Sequence, residues 1–319
     1  MVYGNPHATR GSLSLFQPAL SNEARDAPYA CAAATHQRDR TVCYSLRQLW
    51  HFCPDGYIGQ RGNLSNELKL VPGALDVDVG AHDGYNALYF ARAGHSVITL
   101  EPTAAKAKRI AAAIRKSGLG DRITFLQAAA SNHSGSSTLW VSGDSSAGSE
   151  QDTLATVPLW SDGRKVEAQR VQILTLDEVV KGRAASERHV LHLKVDAQGH
   201  EPAVLEGASG LLDSRRVDVM TVEISPHLAS PSDGHSAYLG ALLRLQRAGY
   251  RCAMCDCPRP KSRPTTGCPG RGVLTPLNWD GAAPAAAWLA ALSNMSFFYQ
   301  GADIGWWADL VCTHSRGLA

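Results

Sequence analysis

The sequence predicts an α/β fold, a mostly parallel sheet with helices on both faces, and three stretches carry that prediction. Leu75 to Asn86 is an apolar alternating run that breaks into a glycine-bearing turn and then into a helix-like segment. Val97 to Leu100 reads as a second strand ending in Glu101, 21 residues after Gly80. Leu191 to Val195 reads as a further strand running through Asp196 and Gly199 into a helix start at His200 and Glu201. Buried runs alternating with helix-period segments are the pattern of βαβ units.

The first stretch sets the chemistry. Leu75, Val77 and Val79 alternate with Asp76 and Asp78, as expected of a buried strand with an acid near its carboxyl end. Gly80 and Gly84 supply a bend whose backbone must approach a ligand closely, and the turn amides with the following helix start are expected to form a polar cradle. A dinucleotide site wants G-x-G-x-x-G around a pyrophosphate. Here His82 stands at the second glycine, so the spacing is Gly80-x-x-x-Gly84, with Ala81 and His82 inside it. S-adenosylmethionine suits this turn better, because it has no phosphate and its ammonium and sulfonium charges favour a nearby carboxylate such as Asp78. Glu101, at the tip of the second strand, is placed to accept hydrogen bonds from ribose hydroxyls. A solvated carboxylate at a strand end is the plain alternative.

The remaining elements follow in order. Residues 1–64 read as a partly helical extension, with Leu46, Leu49, Trp50 and Phe52 before a Pro54-Asp55-Gly56 turn, and Asn66 to Leu68 as a lead-in. Tyr85 to Gly94 and Thr103 to Ser117 read as the first two crossover helices, the second with Ile110, Ala113 and Ile114 on one face, solvated Lys and Arg on the other, and Gly118 as its stop. Ile123 to Ala129 is the third strand, whose end should reach an adenine, with Gln127 for the edge contact. Thr138 to Ser142 looks like an added strand, and Gly143 to Asp162 like a mobile loop holding Trp160. Val171 to Leu176 returns as a strand, Leu176 to Val180 begins a helix, and Val217 to Ile224 is the fifth strand. Ser236 to Arg247 is an amphipathic helix, Tyr250 to Met254 the sixth strand and Asp309 to Thr313 the last. Between these, about 255–300 is a Cys/Pro/aromatic-rich insertion with Trp279, Trp288, Phe297, Phe298, Tyr299, Trp306 and Trp307 at or just beyond its second half. Their bulk is read as a hydrophobic cap, with stacking on a ring as the rival.

The DVGAHDG turn, the LEP strand end, the QAAASN segment, TLDEV and the stretch LHLKVDAQGHEPAVL together resemble the FkbM family of S-adenosylmethionine-dependent methyltransferases over about residues 65–225. Against that family's usual K-I-D-x-E-G-x-E, Lys194, Asp196, Gly199 and Glu201 match, and Gln198 stands where the family usually has Glu. The resemblance implies a Rossmann-like class I sheet of seven strands with an antiparallel last strand, within a domain covering 65–319. It also implies methylation of a hydroxyl on a sugar, polyketide or other small molecule. A base within reach would help a neutral alcohol attack. His200 is the first candidate by chemistry, with Asp196 as its orienter or as the base itself, and His227 is in reserve. No second and third metal ligand accompanies Asp196 at convincing spacing. The rival from another class is a catalytically idle, methyltransferase-like binding module.

Charge excludes some partners. A net charge of +2, 44% hydrophobic and 19% charged residues describe a globular chain with no basic cluster, which argues against nucleic acid as substrate. No stretch reaches the roughly 20 apolar residues of a membrane span, and the first 30 residues hold no apolar run of signal-peptide length. Cytoplasm is the default compartment. Eight cysteines and the sequons at Asn63, Asn132 and Asn294 keep a secretory lumen open. Cys252, Cys255, Cys257 and Cys268 leave disulfide, zinc and free thiol all open.

Overall fold

The computed structural model describes residues 73–142, 152–154, 166–184, 188–225, 234–254, 275–276, 281–293, 297–299, 302–305 and 308–314. The expected helix within 41–70, the lead-in at Asn66 to Leu68, Trp160, His227, Asn63, Asn294 and most of the 255–300 insertion lie outside the described residues.

In chain order the central elements are β1 (Leu75–Val79), α1 (Tyr85–Arg92), β2 (Ser96–Leu100), α2 (Ala104–Ser117) and β3 (Ile123–Leu126). Then come β4 (Ala129–Ala130), β5 (Gly135–Ser142), β6 (Val166–Leu174), α3 (Leu176–Lys181) and β7 (Val190–Val195). The chain continues through α4 (Glu201–Glu206), α5 (Ser209–Asp213), β8 (Val217–Ile224), α6 (Gly234–Arg247) and β9 (Tyr250–Met254). It ends with β10 (Thr275–Pro276), α7 (Ala282–Ser293), β11 (Phe297–Tyr299), β12 (Ala302–Gly305) and β13 (Ala308–His314).

The main sheet has the order β10-β9-β13-β8-β7-β1-β2-β3. β3, β2, β1, β7 and β8 run parallel, and β13 inserts antiparallel between β8 and β9. This is the seven-stranded sheet with a reversed last strand, extended at one edge by the two residues of β10. Every residue of β1 is buried, because a parallel strand at the sheet centre is covered on both faces. Leu75, Val77 and Val79 pack with α3 to α7 in the larger core, while Val97, Leu191, Val219 and Val311 pack with Phe90 and Ile110 of α1 and α2 on the other face. α1 and α2 stop where the sequence places their signals, at Gly94 and Gly118, which take left-handed φ, and α3 starts at Thr175, whose hydroxyl accepts from the Glu178 amide.

Three expectations change. The third strand ends at Leu126 rather than Ala129, because the chain leaves the sheet at Gln127 and Ala129–Ala130 pairs instead with β6. The added strand belongs with β4 and β6 to a separate three-stranded sheet, in which β5 and β6 pair along their whole length. The solvated face assigned to the basic residues of α2 fails at Lys106, which is buried against Asp152. In the insertion, α7 docks Ala285 and Leu289 into the larger core with Trp288 packed beside them. Cys252 is joined to Cys312 across β9 and β13 by a disulfide, so a four-cysteine zinc site including Cys252 does not form.

Candidate active site

Strand register builds the site. Leu100 and Val195 both stand opposite Val79, Leu126 stands opposite Leu100, and Val222 opposite Val195. The next residue of each strand is therefore Gln127, Glu101, Gly80, Asp196 and Glu223, abreast along the carboxyl edge of β3, β2, β1, β7 and β8. The chain order reverses across β1, and the crevice outside such a switch point is where open α/β sheets bind ligands.

At Gly80 the fit is steric. Its φ is 78°, and a Cβ there would stand 1.8 Å from the Asp196 carbonyl oxygen, so no side chain can be placed without moving β7. Gly84 also has positive φ and faces Ile110. His82, at the position of a dinucleotide site's second glycine, takes φ 54° as a non-glycine residue.

The turn's amides are committed inward. Gly80 and Ala81 donate to the Leu100 carbonyl, His82 to Glu101 Oε2, Gly84 to the Ala81 carbonyl and Tyr85 to Asp83 Oδ1. This corrects the expectation of an amide cradle: the Gly80, Ala81 and His82 amides hold β1 to the end of β2, and those of Gly84 and Tyr85 close the turn on itself. What the crevice presents instead is negative. Asp78, Glu101, Asp196 and Glu223 are set against one ammonium, Lys194, whose Nζ donates to the Gly80 carbonyl at 3.0 Å and lies 3.6 Å from Asp78 and 3.3 Å from Asp196. Burial alone would lower the Lys194 pKa, but the Asp196 and Asp78 carboxylates outweigh it and hold the ammonium charged. Burial raises the Asp78 pKa, with Lys194 opposing.

Glu101 is 4% exposed and accepts from the amides of His82 and Thr103, each at 2.9 Å. A carboxylate has about four lone-pair sites, so two remain for a ligand's hydroxyls. Among the described residues, His82 Nε2 and Asn86 Oδ1 are buried without a hydrogen-bond partner beside this turn. Gln127 is exposed at the β3 end of the row. Spare acceptors, a net negative crevice and a backbone contact only glycine allows fit a cationic nucleoside ligand and do not fit a pyrophosphate.

The two candidate bases are held differently. Asp196 Oδ1 accepts from Gln198 Nε2 at 2.8 Å, Oδ2 faces Lys194, and the side chain is 35% exposed. Gln198 Nε2 also lies 3.4 Å from Glu223 Oε1, so the amide sits between two carboxylates where a Glu would add a third. His200 points elsewhere: its Nε2 lies 3.0 Å from Ser131 Oγ, and burial, with His133 nearby, lowers its pKa to about 4. Glu201, which matches the family pattern, shapes the turn rather than facing the crevice row. Glu201 is fully buried, accepts from the amides of Ala197 and Gly199 and receives the Tyr238 hydroxyl. Lys106, Asp152, Thr153 and Gln169, absent from the sequence candidates, also reach the site's turns; matching of distant opposite charges is a signal for Lys106 and Asp152 alone.

A family model for the methyltransferase FkbM domain matches residues 78–252, which is more than half of the chain. No curated protein matches. The fold is similar to that of methyltransferase FkbM from Methylobacillus flagellatus KT, at 11% identity and TM-score 0.39, over 73% of this chain and 55% of that one. It is also similar to a precorrin-6Y C5,15-methyltransferase from Geobacter metallireducens GS-15, at 9% identity and TM-score 0.37, over 82% and 94% of the two chains. An O-methyltransferase from Bacillus cereus, in complex with SAH, matches at 10% identity and TM-score 0.37, over 91% and 97%. With the family's domain running from Asp78 through the crevice to Cys252, the chain belongs to the FkbM methyltransferase family and uses S-adenosylmethionine as its cofactor.

Proposed function

We propose that this methyltransferase methylates a hydroxyl oxygen on a sugar, polyketide or other small molecule, with Asp196 taking the hydroxyl proton. The observation that carries the reading is the exposure of Asp196: Asp78 and Glu101 are buried, whereas this carboxylate, beside Gly80, is one-third open to solvent. S-adenosylmethionine supplies the electrophilic methyl group. On the donor side Glu101 accepts from the ribose hydroxyls, Asp78 balances positive charge, Gly80, Ala81, His82 and Gly84 shape the turn, and Gln127 meets the adenine edge. On the acceptor side Lys194 and Gln198 aim Asp196. His200, the first candidate from sequence, has its Nε2 engaged with Ser131 Oγ and so ranks behind Asp196 as base. Most of the rate comes from holding the two reactants in near-attack geometry, and the base adds to it.

The domain assignment is part of this proposal: 65–319 acts as one catalytic unit and 1–64 as an extension. The Cys252–Cys312 disulfide supports placing the chain in an oxidising compartment rather than the cytoplasm. No helix of the described residues is long and apolar enough to cross a membrane.

Calorimetric titration of S-adenosylmethionine and its demethylated product on wild type and Glu101→Ala tests the donor site. Loss of about 2 kcal/mol or more in the variant is expected when ribose hydroxyls lose their acceptor. A screen for radiolabelled methyl transfer to hydroxylated metabolites and glycans, with amines and thiols alongside, tests the acceptor. Transfer to amines alone overturns the hydroxyl assignment, and donor binding without transfer to any acceptor favours the idle binding module.

A further inference from the structure

The small sheet β4-β6-β5 lies outside the main sheet, yet Gln169 on it and the Asp152–Thr153 segment bridged to it reach both walls of the crevice. Gln169 on β6 uses both ends of its amide on one turn: Oε1 accepts from the Ala104 amide at 3.3 Å and Nε2 donates to the Pro102 carbonyl at 3.0 Å. These two peptide groups flank Thr103, whose amide donates to Glu101. The Thr103 hydroxyl does not cap α2, although Thr103 is its N-cap residue. It donates instead to Asp152 Oδ2 at 2.9 Å, and the same oxygen receives Lys106 Nζ at 2.7 Å. That ion pair is well covered, with side-chain exposures of 9% and 5%. Asp152 is held in place by its neighbour: Thr153 exchanges two backbone hydrogen bonds with Trp140 of β5 and donates its hydroxyl to the Gln198 carbonyl on the other wall.

We propose that the small sheet is a positioning module for the cofactor, in which Gln169 and Asp152 fix the Glu101–Ala104 turn so that the Glu101 carboxylate is preset for the ribose. This rests on the role given to Glu101 above. The first turn of a helix leaves amides without intrahelical partners. Here Gln169 satisfies the Ala104 amide and Glu101 the Thr103 amide, so the conformation of Glu101 is tied to a strand more than 60 residues downstream. Gln169 and Asp152 act through Glu101 and need not touch the ligand.

The test is a double-mutant cycle read by calorimetry with S-adenosylmethionine and S-adenosylhomocysteine. Gln169→Leu and Asp152→Asn are each expected to weaken binding about tenfold, the effect of roughly one lost hydrogen bond's worth of preorganisation. In a Glu101→Ala background the same substitutions are expected to add less than twofold, because the group they aim is gone. Thr103→Ser, which keeps the hydroxyl and amide, is expected to bind as wild type, and Thr103→Val to weaken binding like Asp152→Asn. Unchanged affinity in the single variants, or losses that multiply fully with Glu101→Ala, overturn the proposal. The Thr103 pair decides the question even if a small-sheet variant fails to fold. Wild-type protein that binds neither ligand defeats the donor-site reading itself, an outcome distinct from both.

Discussion

Gly80 and Gly84 share left-handed φ, but they answer to different constraints, and that difference is testable at the level of one methyl group. At Gly80 an added Cβ meets the Asp196 carbonyl at 1.8 Å, a backbone atom that cannot yield without shifting β7. At Gly84 it meets Ile110 side-chain carbons at 3.3 Å, which can give by a few tenths of an ångström. Gly84→Ala is therefore expected to cost about 1 kcal/mol, the strain of positive φ in a residue with a side chain, and to retain cofactor binding. Gly80→Ala is expected to abolish detectable binding and to cost about 3 kcal/mol or more, since the clash adds to the same strain. Thermal melts with and without S-adenosylhomocysteine check both, and a Gly80→Ala protein that binds like wild type would remove the close approach of β1 and β7 from the account. His82 shows that positive φ in this turn does not demand glycine where the side chain has room. Its amide, donated to Glu101, makes φ 54° part of the link between the two strands.

The turn after β7 owes its shape to Glu201, an element-scale device joining α4, α6 and the ends of β7 and β8. One carboxylate gathers the Ala197 and Gly199 amides, and Tyr238 from α6 bonds it while also accepting from the Ser225 amide. Burial pushes the Glu201 carboxyl from 4.5 up to about 7, with the Tyr238 hydrogen bond opposing. The folded chain then keeps a proton that the unfolded chain releases between these values, so this group's contribution makes stability fall as pH rises from about 4.5 to 7. Glu201→Gln, which cannot titrate, is expected to flatten that slope, and Glu201→Ala to cost about 3 kcal/mol by leaving buried donors unpaired. Urea denaturation at pH 5 and pH 8 separates the two, and a slope unchanged in Glu201→Gln would move the titration elsewhere. Elements of this kind also mark what sequence could convey. β2, β7 and β8 were legible because burial on both faces leaves runs rich in apolar residues, and β1 because its alternating Leu75, Val77 and Val79 lead into the glycine turn; register then carried Gly80, Glu101 and Asp196 to one level. Of the small sheet, strands within β5 and β6 were legible but their pairing was not, since the two lie far apart in sequence and β4, which completes the sheet, has only two residues. Lys106 was assigned to solvent by helical period, and its partner Asp152 lies 46 residues away in a stretch of loop-like composition.

Across the whole molecule, the site and the chain's closure lie on opposite sides of β8. On one side the order 3-2-1 followed by the crossing to β7 opens the crevice; on the other, β13 returns antiparallel between β8 and β9 and seals the core. Nothing local fixes that return, because a chain segment containing α7 and the β11–β12 hairpin intervenes between β9 and β13. The Cys252–Cys312 bond spans 60 residues and joins directly paired positions of β9 and β13. By the chain-entropy account, a closed loop of this length is worth about 4 kcal/mol through the unfolded state. Reduction, or Cys312→Ala paired with Cys252→Ala, is thus expected to lower stability by a few kcal/mol. It should leave cofactor affinity nearly unchanged, because no residue of the crevice row lies on β9 or β13. Mass spectrometry of unreduced digests should show the peptides containing Cys252 and Cys312 linked, and melts with and without reductant should shift by more than 5 °C. Equal melts would mean that the packing of β13 against β8 holds the return strand unaided. A loss of S-adenosylhomocysteine binding on reduction would mean that the closing strand and the crevice are coupled through β8, the strand they share.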